Sequence, residues 1–225
     1  MPNNLSFMHC FYFPLSSPQA RKDWLWGSLL LYTLFIGWIF NLGHRLDVVH
    51  RIFHHQPPYY RGFRPFTQTF LRGLQACLAI TLYLSPAVIM GGLSYICYPH
   101  QAVYLLIPLC ILLFVLAIFT LPGGMTYNAA YRDITYLYRP DKAFKRSVQA
   151  GKPYLKAWLI ALSAITLSLS LIGLYPLAFD WPNFIEDWPI LIPAVFIFFM
   201  ASVWAWNVVG YAFSQAIVFR DSQQS

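Results

Sequence analysis

GLQACLAITLYLSPAVIMGGLSYICYPHQAVYLLIPLCILLFVLAIFTLPGGMTYNAAY, residues 73–131, contains no Lys, Arg, Asp or Glu. A charge carried into hydrocarbon costs several kcal/mol unless it finds a partner. A stretch this long without one marks passage through a membrane. A bilayer core of about 30 Å needs about 20 helical residues at 1.5 Å each, and the stretch divides into two such lengths. Phe70 to Ile96 is the first, with Pro86 as a kink and Gly91-Gly92 loosening its far end. Ala102 to Leu121 is the second, closed by Pro122-Gly123-Gly124.

The same reading extends in both directions. Between Lys156 and Arg220 the only charges are Asp180, Glu186 and Asp187, and Tyr154 to Pro176 and Pro189 to Phe219 form a second pair of spans. A fifth apolar run, Trp24 to Phe40, is shorter and is interrupted by Gly27 and Gly37. The composition agrees: 58% hydrophobic and 10% charged residues, against about 25% charged in ordinary globular domains, with a mean hydropathy of +0.52. The expected fold is an all-α polytopic membrane helix bundle of about five transmembrane helices plus two interfacial amphipathic helices. It forms one integral membrane domain over 24–220, after an N-terminal segment 1–23 and before a tail 221–225. No basic region followed by a short apolar core and a small-residue cleavage site opens the chain, so no cleaved signal peptide is expected.

Charge in the connections orients the spans, because Lys and Arg concentrate on the cytoplasmic side. Segment 44–72 carries Arg45, Arg51, Arg61, Arg64 and Arg72, and segment 132–156 carries Arg132, Arg139, Lys142, Lys145, Arg146, Lys152 and Lys156. Two spans separate these segments, which puts both on one side, while the connections 97–101 and 177–188 contain neither Lys nor Arg. The basic segments and the C-terminus are therefore assigned to the cytoplasm of a multi-pass protein of a prokaryotic inner (plasma) membrane, or a thylakoid in a photosynthetic source. A full crossing by Trp24 to Phe40 would place Arg21 and Lys22 outside. A re-entrant or interfacial first helix would keep both chain ends inside. The Arg21-Lys22-Asp23 cluster opposes the crossing only weakly, so the crossing is the expectation and re-entry the alternative.

Two basic stretches carry helical amphipathic patterns. From about Asn41 to His55, a 100° step groups His44, Asp47, His50, Arg51, His54 and His55 on one arc. Leu46, Val48, Val49, Ile52 and Phe53 take the other, with Arg45 the exception. Pro57-Pro58 ends that helix. The second stretch starts at Asp141, a suitable N-cap, and runs to Gly151, with Lys142, Lys145 and Arg146 on one face and Phe144 and Val148 on the other. That is the pattern of a helix lying on an anionic membrane surface. Arg45, Arg51, Arg61, Arg64, Lys142, Lys145 and Arg146 are thus the candidate contacts for lipid headgroups or a partner.

Reactive constellations are sparse. Asp47, His50 and His54 lie at turn spacing and could in principle hold a divalent metal. The run His50-Arg51-Ile52-Phe53-His54 lacks the Glu of a zincin, and Arg51 repels a cation, so a polar helix face is the expected role. Cys10, Cys77, Cys97 and Cys110 show no metal-ligand spacing. Apart from Arg72 and Lys156 at their basic ends, the clear spans contain no Asp, Glu, Lys or Arg, which weighs against ion-coupled transport. Ser163, Thr166, Ser168 and Ser170 are expected to serve helix packing. Gln56-Pro57-Pro58-Tyr59-Tyr60 contains a PPxY core, read as a rigid turn, and Asp180, Glu186 and Asp187 as a solvated loop.

The run Asn41-Leu42-Gly43-His44-Arg45-Leu46-Asp47-Val48-Val49-His50-Arg51 follows Asp23-Trp24 and a Gly-containing apolar helix. A Pro-Pro turn, Phe70-Leu71-Arg72-Gly73-Leu74 and Tyr83-Leu84-Ser85-Pro86 come next. With Tyr131 to Phe144, Tyr154 and Gly210-Tyr211-Ala212-Phe213-Ser214-Gln215-Ala216, the pattern resembles the prokaryotic integral-membrane family catalogued as domain of unknown function 4013. It departs from that family in having Gly43-His44 where Gly-Tyr is typical, and Tyr59-Tyr60-Arg61 where acidic residues are usual. The resemblance implies a class and no activity, substrate or catalytic residue.

The functional expectation is a non-enzymatic membrane protein without cofactor that binds a partner, as an assembly factor or accessory subunit of a membrane complex. Anionic lipids are expected contacts, and the net charge of +7 is assigned to headgroups with no nucleic-acid partner. The alternative is a transporter or lipid-handling protein with an apolar cavity between helices, for which Gln75, Asn207 and Gln215 would converge on one interior space. Activity is expected in segments 41–72 and 123–156.

Overall fold

The computed structural model describes residues 5–56, 65–173 and 188–224, and every element among them is helical. The helices are α1 Phe7–Tyr12, α2 Pro18–Leu30, α3 Phe35–Phe53, α4 Phe66–Ile96, α5 Val103–Tyr131, α6 Thr135–Tyr138, α7 Pro140–Gly173 and α8 Trp188–Gln224. Four of them, α4, α5, α7 and α8, contain stretches long and apolar enough to cross a membrane. Only 17% of the most apolar window of α5 and 28% of that of α4 are buried within the protein. Leu105, Ile111, Leu155 and Leu159 are all more than half exposed. Apolar side chains turned outward on this scale need hydrocarbon around them, and the chain is a multi-pass membrane protein.

The fifth span is where the structure departs from expectation. Trp24 to Phe40 does not form one helix: α2 ends at Leu30, a 3-10 turn covers Leu31–Thr33, and Leu34 takes φ +51° before α3 begins. Asn41 Nδ2 donates to the carbonyls of Gly27 at 3.0 Å and Gly37 at 2.9 Å. In a continuous helix, positions 27 and 41 would lie about 21 Å apart, so the chain has folded back on itself. Gly37 is the crossing point, since an added methyl would strike the Leu30 carbonyl oxygen.

Side-chain contacts place this hairpin along α8. Phe13 stacks on Tyr211 at 4.2 Å, Trp24 Nε1 donates to the Met200 carbonyl at 2.7 Å, and the Tyr32 hydroxyl donates to the Ile192 carbonyl at 2.8 Å. α3 then returns past Trp206 and Gly210. Both ends of the hairpin therefore sit at the end of the bundle that holds Arg72 and Arg132. The chain thus returns to the end of the bundle from which α2 departs, the hairpin shape that the re-entrant alternative requires. Cys10 packs at this end against Ala150, Tyr154 and Ala157 and is 1% exposed. Burial pushes its thiol up to about 12, so it cannot serve as a labelling site for topology. All four cysteines are free.

α3 is the second correction. Its polar arc was expected at the membrane surface, but α3 packs against α4, α5 and α8 together. His44 and Asp47 are 7% and 2% exposed, as buried as Leu42, Leu46 and Val49. The closest packing is with α4, where Gly43 and Gly73 meet. A methyl on Gly43 would strike the Thr69 carbonyl, and one on Gly73 the Ile39 carbonyl. Small residues permit such backbone-to-backbone approach in membrane bundles.

The third correction concerns α5, which continues through Pro122-Gly123-Gly124 to Tyr131. The helix survives because α7 repairs it. Gly123 N–H donates to the Tyr154 hydroxyl at 3.1 Å, and that hydroxyl donates to the Phe119 carbonyl at 2.5 Å. The phenol is thus inserted into the hydrogen bond that would normally join residues 123 and 119, a recognised cause of helix distortion. Pro86 in α4 is accommodated similarly, with the Ser85 hydroxyl donating to the Leu82 carbonyl at 3.0 Å, the group whose usual amide partner proline lacks.

Tyr154→Phe is expected to leave the Gly123 amide and Phe119 carbonyl buried without partners. At about 1–3 kcal/mol for each unsatisfied group, the loss should exceed about 2 kcal/mol. Thermal unfolding of the detergent-solubilised protein, followed by tryptophan fluorescence, measures it. An unchanged midpoint would show that the α5 backbone closes by itself.

α7 contains a break at Gly151, whose φ of +61° and ψ of −139° suit glycine alone. It divides an amphipathic first part from the spanning part, as the sequence indicated. Against α8, however, α7 packs with Ala157, Ala161 and Ala164, and of the four hydroxyl residues only Ser168 is buried. Ser163 and Ser170 bond the carbonyls of Leu159 and Thr166 in their own helix.

Candidate functional site

Two polar constellations lie at the basic end of the bundle. The first is internal. Asp47, with a side chain 3% exposed, is held by Arg72 of α4 and by Arg132 at 3.0 Å. Arg132 occupies the position after α5 in left-handed conformation, φ +56° and ψ +25°, a site that normally favours glycine. That turn ends α5 and directs the guanidinium toward α3. One carboxylate thereby ties three helices together. Helical spacing puts Asp47 on the polar face of an interfacial helix and does not reveal its role as a hub. The available signal was that no other carboxylate occurs between Asp23 and Asp133, in a stretch rich in arginine.

The histidines do not join it. His50 Nδ1 lies 2.8 Å from the Ala129 carbonyl, with the His54 ring 4.3 Å away. His44 Nε2 approaches Asp23 Oδ2 at 3.6 Å, linking α3 to α2. Among the described residues no group of three or more His, Cys, Asp or Glu is placed to hold a metal. Arg45 is drawn into the packing of α3 on α8, its Nε lying 2.9 Å from where a methyl on Gly210 would sit. Arg51 is half-buried on α3. Arg61, Arg64 and the PPxY core from Pro57 onward, like Asp180, Glu186 and Asp187, lie outside the described residues.

The second constellation is outward-facing and gathers Lys142, Lys145 and Arg146. With Tyr136 and Gln149 they line a depression of about 340 Å³ between α6 and the start of α7. Tyr136, which lines it, belongs to a tyrosine cluster in which Tyr127 stacks on Tyr131 at 6.1 Å and packs on Tyr136 at 5.6 Å. Lys142 Nζ donates to Thr135 Oγ1 at 3.0 Å and lies 5.7 Å from the Tyr136 ring centre, and the Arg146 guanidinium lies 6.0 Å from that of Tyr127. Neither neighbouring carboxylate forms an ion pair with these cations, though Asp133 lies within the electrostatic reach of Lys142. Asp133 accepts the Thr135 amide and hydroxyl, both at 2.9 Å, which holds its carboxyl below the ordinary range, and Asp141 pairs with Arg139 at 2.9 Å.

Gln75, Asn207 and Gln215 do not converge. Gln75 is on α4, where its backbone carbonyl accepts the Tyr138 hydroxyl at 3.1 Å, while Asn207 and Gln215 are on α8, and α3 and α5 pack between those helices. The feature that would favour a carrier is therefore missing. Comparison with protein-family models, curated proteins and solved structures gives no match.

Proposed function

We propose that this protein works by binding, as an assembly factor or accessory subunit of a membrane complex, without catalysis or cofactor. The observation that carries this reading is the uneven packing of the spans. The core clusters lie toward the basic end, whereas no residue of α5 between Val103 and Ala117 is buried. The far half of the α4–α5 hairpin stands out from the bundle with Leu105, Ile107, Ile111, Leu112 and Val115 exposed. Helices in lipid associate through packing rather than hydrophobic exclusion, and a hairpin uncovered on this scale is suited to docking between the spans of another protein. Placement of the basic end in the cytoplasm, and membership of the family catalogued as domain of unknown function 4013, belong to the same proposal. The run from Asn41 to Arg51 that carries the resemblance forms the central helix α3.

The test is capture of the tagged full chain from its native membrane in mild detergent. A partner should be recovered in stoichiometric amount, and Leu112→Trp combined with Val115→Trp should reduce that recovery about tenfold while leaving the melting temperature unchanged. Repeated recovery of the chain alone would overturn the reading.

A further inference from the structure

We propose that the depression between α6 and the first turns of α7 is a binding site for the phosphate-monoester headgroup of an anionic membrane lipid. Lys142, Lys145 and Arg146 face one volume of about 340 Å³, which suits a headgroup rather than a whole lipid. Two of the three are held in place, Lys142 by Thr135 and Arg146 over the Tyr127 ring. Among the described residues none of the three forms an ion pair with a carboxylate: Asp141 pairs with Arg139, and Asp133, which accepts from Thr135, acts on Lys142 only through its longer-range field.

Their position sharpens the case. All three lie in the first two turns of α7, where the helix dipole is positive and cations are unfavourable. An anion seated there would meet three side-chain charges at once. A phosphate monoester carries close to two negative charges near neutral pH, which fits three converging cations better than a singly charged diester does.

The source of that phosphate is read from the flanking residues. On the helical wheel Lys145 separates the depression from Val148 and Phe144, which are 53% and 42% exposed. Beyond the break at Gly151, Leu155 and Leu159 are exposed as well. A ligand with a doubly charged head and apolar tails would match that sequence of surfaces, and a soluble phosphate compound would use only the first of them.

The experiment uses the full chain in neutral detergent, titrated with dioctanoyl phosphatidic acid, dioctanoyl phosphatidylglycerol and glycerol 3-phosphate, with bound ligand counted by native mass spectrometry. Phosphatidic acid is expected to bind at least about tenfold more tightly than either competitor. Each cation removed should cost roughly fivefold, the equivalent of about 1 kcal/mol per charge near the surface. The combined change Lys142→Gln, Lys145→Gln and Arg146→Gln should therefore abolish measurable binding. Lys152→Gln with Lys156→Gln, which removes two exposed charges outside the depression, should alter it less than about twofold. If the triple variant fails to fold, Lys145→Gln alone carries the test, since that side chain is exposed and makes no hydrogen bond among the described residues. Equal losses from the two multiple variants would reduce the site to diffuse charge attraction and overturn it. Equal affinity for glycerol 3-phosphate would assign the site to a soluble anion and overturn its lipid identity. The α4–α5 docking reading is tested by partner capture, and its outcome is independent of these titrations.

Discussion

Gly73→Leu should yield no folded protein, and Gly73→Ala should lower stability by about 3 kcal/mol, the upper part of the usual overpacking range. The sign of the alanine effect is informative, because helix propensity pushes the other way. In a helix interior alanine is favoured over glycine by about 1 kcal/mol, so an unobstructed site should gain from the change. At Gly73 the new methyl would meet the Ile39 carbonyl and lie 3.0 Å from the Gly43 amide nitrogen, backbone atoms that move only if α3 moves. Gly92, in the same helix, has nothing within 4 Å of the corresponding position, and Gly92→Ala should be neutral or stabilising. Thermal unfolding of both variants in one detergent separates the cases. Shifts of the same sign would mean that α3 and α4 are not in backbone contact.

This pair of glycines also shows what the sequence conveyed and what it withheld. The absence of charge over 73–131 was sufficient to place α4 and α5 in a membrane, since the cost of a buried charge is large compared with any local preference. The break at Gly151 was legible for a related reason, because the apolar pattern changes character there. Periodicity identified which residues of 41–55 share a face, but it could not say what that face meets. A polar arc is equally compatible with water, headgroups or a buried ion cluster, and three helices around α3 decide the matter in favour of the last.

Two further misreadings have the same origin in long-range contacts. Pro122-Gly123-Gly124 looks like a terminator until the Tyr154 hydroxyl, 31 residues away from Gly123, restores the missing backbone partners. The turn of the re-entrant hairpin contains neither proline nor glycine, and a leucine takes the positive φ. Gly27 and Gly37 were visible as interruptions of the apolar run. Their role is to let two helices cross rather than to loosen one. The arc of Lys142, Lys145 and Arg146, by contrast, was readable from helical spacing alone, because those residues follow one another on a single helix. Only the tyrosine cluster beside it required the fold.

Asp47→Ala is expected to destabilise the protein by about 2–4 kcal/mol. Breaking a fully buried pair by removing one member costs about 3–5 kcal/mol, most of it from the charge left behind. The Arg72 and Arg132 side chains are 29% and 36% exposed, so water screens part of that penalty. Loss of the carboxylate also releases the only ion-paired link between α3 and the ends of α4 and α5 among the described residues. Combining Asp47→Ala with Arg72→Ala tests which component dominates. If the abandoned Arg72 charge is the main cost, the double variant should recover about 1 kcal/mol or more relative to Asp47→Ala, a coupling well above the scatter of independent sites. Additive losses would indicate instead that Asp47 acts through Arg132 and the left-handed cap of α5. In that event Arg132→Gly, which suits the backbone but removes the guanidinium, should be nearly as damaging as Asp47→Ala. A double variant no less stable than wild type would show that the ion cluster fixes the position of α3 without contributing net stability, as replacement of buried ion pairs by apolar groups often does.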